Sequence, residues 1–370
     1  MNHHAHILVL TKRQYTNRDL LDDRFGRIRE LPLQLALRGF QVNGLCLSYK
    51  KKKEGQILDG PVLWESLNAG ALKVPGLLRF IVRASSLASH ADVIWACADS
   101  FYGIIGYWLS RRYHVPLVFD LYDNFEYFLA GRTPGIRQLY RSVLRKCHAV
   151  TCVSQPLARL VKTYGRNGPL HILENGVQKD FFKPLDKDLC RKDLNLPQDC
   201  RIVGTAGAIF RNRGIIALFE AFEKLKQKFT DLHLALAGPR DFGIPSHPRI
   251  HDLGTLDYNK IPNFLSALDI GVICNRQDAF GSYCFPQKAR EMMACGLPLI
   301  AARVGSMEEL LADHPSWLFE PDDATDLARA IGDRLNDRAT EYGRIPSWAD
   351  LGEELEALIL KLVNEKASSL

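Results

Sequence analysis

The chain has 370 residues, 46% of them hydrophobic and 24% charged, with a formal net charge of +6. That length accommodates two domains of ordinary size with sizeable cores. The nine cysteines include no CxxC pair, and several, such as Cys97, Cys152 and Cys274, sit in apolar runs, so they read as small buried hydrophobes in a reducing compartment and not as a disulfide frame. No uncharged apolar run is long enough to span a bilayer. The charge is uneven: residues 1–180 hold 25 Lys and Arg against 14 Asp and Glu, and the remainder 23 against 28. A basic N-terminal half predicts either an anionic partner or a solvated surface excess. The start, "MNHHAHILVL", lacks a signal-peptide pattern, so the expected location is the cytoplasm, with peripheral contact at the inner membrane face open.

In chain order, apolar runs of strand length alternate with helical patterns. The first half offers strands at His6–Leu10, Gln41–Leu47, Asp92–Cys97, Pro116–Tyr122, Ala149–Ser154 and His171–Asn175. Helical spacing covers Gly26–Arg38, Val74–Ser86, Arg137–Lys146 and Pro156–Thr163, and the lysine run Lys50–Lys53 reads as a loop. Residues 178–200 turn polar and read as a linker after a first domain at 1–177. A second alternating series then runs through strands Arg201–Gly207, Leu232–Gly238, Arg249–Gly254, Ile270–Cys274, Pro298–Ala302 and Ser316–Pro321, with helices between them. This gives a second domain at 201–345 and a C-terminal helix within 346–370 whose apolar spacing fits burial on one face. Such alternation predicts an α/β fold of two doubly wound, Rossmann-like domains with a cleft between them, ligands binding at the carboxyl ends of the strands.

Two stretches carry charge where such a fold binds anions. "VGTAGAIFRNRGIIALFEAF" places Gly207, Arg211 and Arg213 between a strand and the start of a helix, a candidate diphosphate clamp. The glycine spacing is neither GxGxxG nor a Walker loop, so surface arginines are an equal reading. "FPQKAREMMACGLPLIA" predicts a helix that opens at Pro286, carries Lys288 and Glu291 near its start and stops at Gly296. Free backbone N–H groups and Lys288 would hold phosphate there, while Glu291 would accept hydrogen bonds from ribose hydroxyls. The plain alternative is a Lys288–Glu291 surface pair worth only tenths of a kcal/mol.

The block Pro286–Leu311, "PQKAREMMACGLPLIAARVGSMEELL", resembles the donor site of retaining glycosyltransferases of family 4 (group 1), with GT-B architecture. Similar blocks follow the family order at Arg24–Val42, Asp120–Asn124, Val150–Val161, Glu174–Pro184, Leu253–Val272 and Ser316–Ile331. The resemblance implies a nucleotide-diphosphate sugar donor, UDP- or GDP-linked, transfer with retention, and no metal or other cofactor. It implies donor contacts from Gly207, Arg211, Arg213, Phe285, Pro286, Gln287, Lys288 and Glu291, an acceptor side at Gly26 and Arg27, and catalytic-face polar groups at Asp120 and Asp123. It also allows the C-terminal helix to cross back to the first domain. Tyr283 departs from the pattern, standing where many relatives have a second glutamate, and Tyr122 stands where many have histidine or arginine.

Fixed arginines and a helix N-terminus can stabilise a leaving diphosphate without a metal. Asp186-Lys187-Asp188 is formally a DxD but lies in the expected linker and reads as chance. A nucleotide-sugar epimerase or an inactive nucleotide-sugar-binding partner are the rival readings. Nucleic acid is not an expected partner, since the basic half lacks an aromatic-basic stripe and any zinc spacing. The acceptor expected is a saccharide, lipid-linked or a polysaccharide precursor, met by the aromatic segment Tyr122–Arg132 and the basic half at an anionic membrane surface. Val74–Ala88, apolar with two arginines, reads either as a helix covering the sheet or as an interfacial helix.

Overall fold

The computed structural model describes residues 5–15, 18–71, 73–128, 134–337 and 341–368. The chain forms two compact units, one of Met1–Asn175 with Trp348–Leu370, the other of Gly176–Ser347.

The first unit runs β1 (His6–Lys12), a short hairpin of β2 (Gln14–Tyr15) and β3 (Arg18–Asp19), α1 (Arg27–Leu37), β4 (Gln41–Ser48), β5 (Gly55–Asp59) and β6 (Val62–Asn68). It continues through α2 (Val74–Ala88), β7 (Val93–Ala96), α3 (Ser100–Tyr113), β8 (Leu117–Leu121), α4 (Pro134–Lys146), β9 (Ala149–Cys152), α5 (Gln155–Thr163) and β10 (Leu170–Ile172). Among the described residues, eight strands make one sheet in the order β10-β9-β8-β7-β1-β4-β6-β5. Only β5 runs antiparallel to its neighbour. The continuous apolar run Ile7–Leu10 is fully buried, as a central parallel strand with both faces covered requires. Asp99 caps α3 by accepting from the Phe101 N–H, and Ser154 caps α5 by accepting from the Leu157 N–H at 3.3 Å. The C-terminal helix Trp348–Ser368 packs on α1 so closely that a Cβ on Gly352 would lie 2.5 Å from the Gln34 Cβ. It belongs to the first unit.

The stretch read as a linker is part of the second unit. It holds α6 (Lys187–Asp193), capped by Asp186, whose carboxylate accepts from the Leu189 N–H at 2.9 Å. The side chains of Phe182, Cys190 and Leu196 are buried in the core, and Arg191 is buried against Asp269 at 2.7 Å. Periodicity was hidden here because buried Arg191 and the exposed polar residues around it dominate a seven-residue helix. Then follow β11 (Arg201–Ala206), α7 (Ile216–Leu225), β12 (Leu232–Ala237), β13 (Ile250–Asp252), α8 (Ile261–Ala267), β14 (Ile270–Ile273), α9 (Gln287–Ala294), β15 (Leu299–Ala302), α10 (Ser306–Leu310), β16 (Leu318–Phe319) and α11 (Ala324–Asn336). Six parallel strands are ordered β13-β12-β11-β14-β15-β16 among the described residues. The reversal of strand order between β11 and β14 is a topological switch point, where α/β sheets place ligands.

Candidate active site

The second unit concentrates cations at the carboxyl end of β11. This strand is followed by Gly207, whose φ is +103° and on which a Cβ would meet nothing within 4 Å. The neighbouring Gly238 has no such room: a Cβ there would lie 1.9 Å from the Gly207 carbonyl oxygen. The chain then makes a 3-10 turn over Arg211–Arg213, closed by Gly214 in the left-handed region. Arg211 is exposed, its guanidinium 5.0 Å from the Phe242 ring. Arg213 is half-buried and stacks on Phe280 at 3.5 Å. Among the described residues the Arg213 side chain makes no hydrogen bond or ion pair, so its five donors are available.

α9 points its N-terminus into the same region. Pro286 is its N-cap, and no side chain caps the first turn, which leaves backbone N–H groups for a ligand. Lys288 extends to the end of β11, its Nζ 3.3 Å from the Ala206 carbonyl and 3.5 Å from the Thr205 hydroxyl. Those are long contacts to neutral acceptors, and no carboxylate lies within ion-pair reach among the described residues. Burial pushes the Lys288 ammonium below the usual lysine range; Cys274, Cys284 and Glu291 oppose this, and Arg213 adds to it. An anion bound here would offset both the burial and the repulsion. Glu291 is 8% exposed, one turn beyond Lys288. Phe285 is buried with Arg290 over its ring at 5.2 Å, and the Gln287 amide donates to the Gly176 carbonyl at 2.8 Å. Tyr283 is half-buried on the loop before α9. That loop is shaped by Asp278, whose Oδ1 accepts from the N–H groups of Phe280 and Gly281 at 2.9 and 2.7 Å.

In the first unit the expected polar face is arranged differently. Asp120 is fully buried and grips Arg27 through two hydrogen bonds, at 2.9 and 2.7 Å, while accepting a third from the Thr151 hydroxyl at 2.5 Å. Arg27 is buried too and donates to the Glu174 carbonyl at 2.7 Å. Both side chains are out of solvent, and the pair ties α1 to β8 and to the chain after β10. Gly26 caps α1 at φ +87° and ψ 174°, with the Tyr15 Cε1 2.5 Å from where a Cβ would sit. Asp123 is 5% exposed, and its Oδ1 accepts from the Asn124 N–H at 2.7 Å. The aromatic segment is described as far as Phe128, and residues 129–132 lie outside the described residues.

Sequence reading missed Lys12, Tyr15 and Ala98 at this edge. Lys12 is half-buried, with the Tyr122 and Phe128 rings 5.9 and 5.7 Å from its Nζ. Burial lowers its ammonium pKa, against the pull of Asp99, Cys97 and Asp123. Ala98 holds φ at +85°, a strained backbone of the kind found beside ligands. The position of Lys12 at the end of the central strand was the one available signal.

Among the described residues no three His, Cys, Asp or Glu side chains cluster as metal ligands, and no helix is long and apolar enough to cross a membrane. None of the nine cysteines is disulfide-bonded.

Comparisons with known proteins agree with this layout. The family model described as Glycosyltransferase Family 4 matches residues 27–181, and that described as Glycosyl transferases group 1 matches residues 200–337. The chain is 28% identical to the D-inositol 3-phosphate glycosyltransferase 2 of Catenulispora acidiphila over 65% of its own length and 62% of that relative. It spans less than half of the next two curated relatives. Sucrose-phosphate synthase from Thermosynechococcus elongatus is 20% identical with a TM-score of 0.72, each chain 98% covered. HepE of Anabaena, solved in complex with UDP, is 19% identical with a TM-score of 0.67, again at 98% of each chain. Both likenesses show the fold, which is the GT-B architecture of two Rossmann-like domains.

Proposed function

The chain belongs to the family 4, group 1 glycosyltransferases, and from that membership we propose that it moves a sugar from a nucleotide-diphosphate sugar to a saccharide acceptor, with retention and without a metal. The observation that carries this reading is Lys288: a half-buried cation at an uncapped helix N-terminus, beside Arg213 and short of any counter-ion among the described residues. A diphosphate supplies the missing charge. Arg213, Lys288 and the first N–H groups of α9 stabilise it as the glycosyl–phosphate bond breaks, when negative charge grows on the leaving oxygen. They are already in place, so little reorganisation is needed in the transition state. Glu291 accepts hydrogen bonds from the ribose hydroxyls. The donor is linked to uridine or guanosine diphosphate; the UDP complex of the HepE relative supports the former.

Retention follows from attack on the same face of the sugar as the leaving group. The acceptor oxygen forms the new bond to the anomeric carbon as the bond to phosphate breaks. The acceptor proton passes to the departing phosphate oxygen, so no protein base is required. Buried Asp120 is not available for that role. The acceptor is a lipid-linked saccharide or polysaccharide precursor, which fits the basic first half and places the enzyme peripherally on a cytoplasmic membrane face.

The test is incubation with UDP- and GDP-sugars and lipid-linked saccharides, with the product read by NMR. The expected product keeps the donor's anomeric configuration and forms equally fast with a chelator present. An inverted product, or a sugar epimerised without any acceptor, would overturn the reading.

A further inference from the structure

α2 carries two apolar stripes, not one. Gly76, Phe80, Ala84 and Ala88 recur every fourth residue and are buried beneath the helix. Val74, Leu78 and Val82 recur at the same interval and are 61%, 58% and 70% exposed. Positions two apart on an α-helix lie about 200° around its axis, so the second stripe faces away from the core. A helix covering a sheet ordinarily turns polar residues to that side. The surroundings are basic. Lys73 is exposed just ahead of the helix. The lysine run lies alongside, because Glu54, which follows it, bonds Arg79 of α2 at 3.0 Å. Lys50, Lys51 and Lys53 are exposed, and like Lys73 they make no ion pair among the described residues. The nearby acids are occupied: Glu65 by Arg83 at 2.8 Å, and Asp22 by Arg13 and Lys52, both at 2.7 Å.

We propose that this face docks on an anionic lipid bilayer, with Val74, Leu78 and Val82 entering the boundary of headgroups and acyl chains and Lys50, Lys51, Lys53 and Lys73 meeting lipid phosphates. Aliphatic side chains ringed by free lysines suit a bilayer. A protein partner is disfavoured, since protein interfaces are depleted in lysine and anchored by aromatics and arginines, and here the arginines are already paired. The inference deepens the lipid-linked acceptor of the proposed function and does not depend on the nucleotide site, which lies in the other unit.

The test is sedimentation of the full chain with vesicles of phosphatidylcholine alone or mixed with phosphatidylglycerol, with nucleotide affinity measured on the same preparations. Binding is expected only to the anionic vesicles and should weaken with salt. The exposed triple variant Lys50→Gln/Lys51→Gln/Lys53→Gln should bind about a hundredfold more weakly, and Leu78→Asp/Val82→Asp should lose binding as well. Nucleotide affinity should be the same in all three proteins. Equal pelleting with neutral vesicles, no pelleting, or variants that bind like the parent chain would overturn the proposal. So would a concentration-dependent dimer, seen by light scattering, that Leu78→Asp abolishes.

Discussion

Replacing Asp120 with alanine should destabilise the first unit severely while leaving the second unit intact. The carboxylate and the Arg27 guanidinium are both fully out of solvent and joined by two hydrogen bonds. Removing one partner of a buried pair leaves an uncompensated charge, which costs about 3–5 kcal/mol. The Glu174 carbonyl still accepts from Arg27, but it is neutral, and the Thr151 hydroxyl loses its acceptor. For a unit of this size, that loss lowers Tm by roughly 6–20 °C. Tryptophan fluorescence reports on this unit, since Trp64, Trp95, Trp108 and Trp348 lie in it and only Trp317 lies in the other. Urea unfolding of Asp120→Ala, Arg27→Met and the double variant would measure the pair as a cycle. The double variant should recover about 2 kcal/mol or more of the summed single losses. A loss below about 1 kcal/mol in Asp120→Ala, or strict additivity, would refute the reading of this pair as a structural tie.

Gly26→Ala forces a side chain into a backbone region essentially reserved for glycine and against the Tyr15 ring, so a loss of about 1–3 kcal/mol is expected. Adding Tyr15→Ala should restore only the steric part, and an unchanged melting temperature would contradict the strain. His233 and His251 share a 2.8 Å contact between ring nitrogens, and His233 is pushed down to about 4, chiefly by burial and then by its neighbour. The folded state therefore holds His233 neutral where the unfolded chain would be protonated. The stability it contributes is full above about pH 6.5 and is lost as pH falls towards 4. His233→Gln should flatten the pH dependence of the urea midpoint of the second unit over that window, and an identical profile would remove this pair from the account.

The helix that opens at Pro286 was more legible than the Arg27–Asp120 pair, for a physical reason. Pro286, Lys288, Glu291 and Gly296 sit within one local segment, so helix start, charge and stop are all written within a few turns, and α9 forms at Gln287–Ala294. The strands were legible wherever burial on both faces produced an unbroken apolar run, as at β1 and β15. β5 was not, because an edge strand half open to solvent alternates weakly and carries Gly55 and Gln56. α6 was hidden by its polar composition. Nor could sequence separate a catalytic aspartate from a structural one. Asp120 and Arg27 are 93 residues apart, and only the packing of α1 beside β8 brings them into contact. The same holds for α2, whose two apolar stripes look alike in sequence until the sheet covers one of them.

The central claim is that Lys288 and Arg213 hold a nucleotide diphosphate and that Glu291 reads its ribose. Calorimetric titration of the full chain with UDP, GDP and their parent nucleosides tests it most directly, with Lys288→Met, Arg213→Ala and Glu291→Ala alongside. One diphosphate should bind, and the two cation variants should weaken it on the order of 10- to 100-fold, as expected for loss of a charge-assisted hydrogen bond. The matching nucleoside should be insensitive to those two variants but weakened by Glu291→Ala. If no diphosphate binds, or if all three variants bind as tightly as the unaltered chain, the site is misassigned.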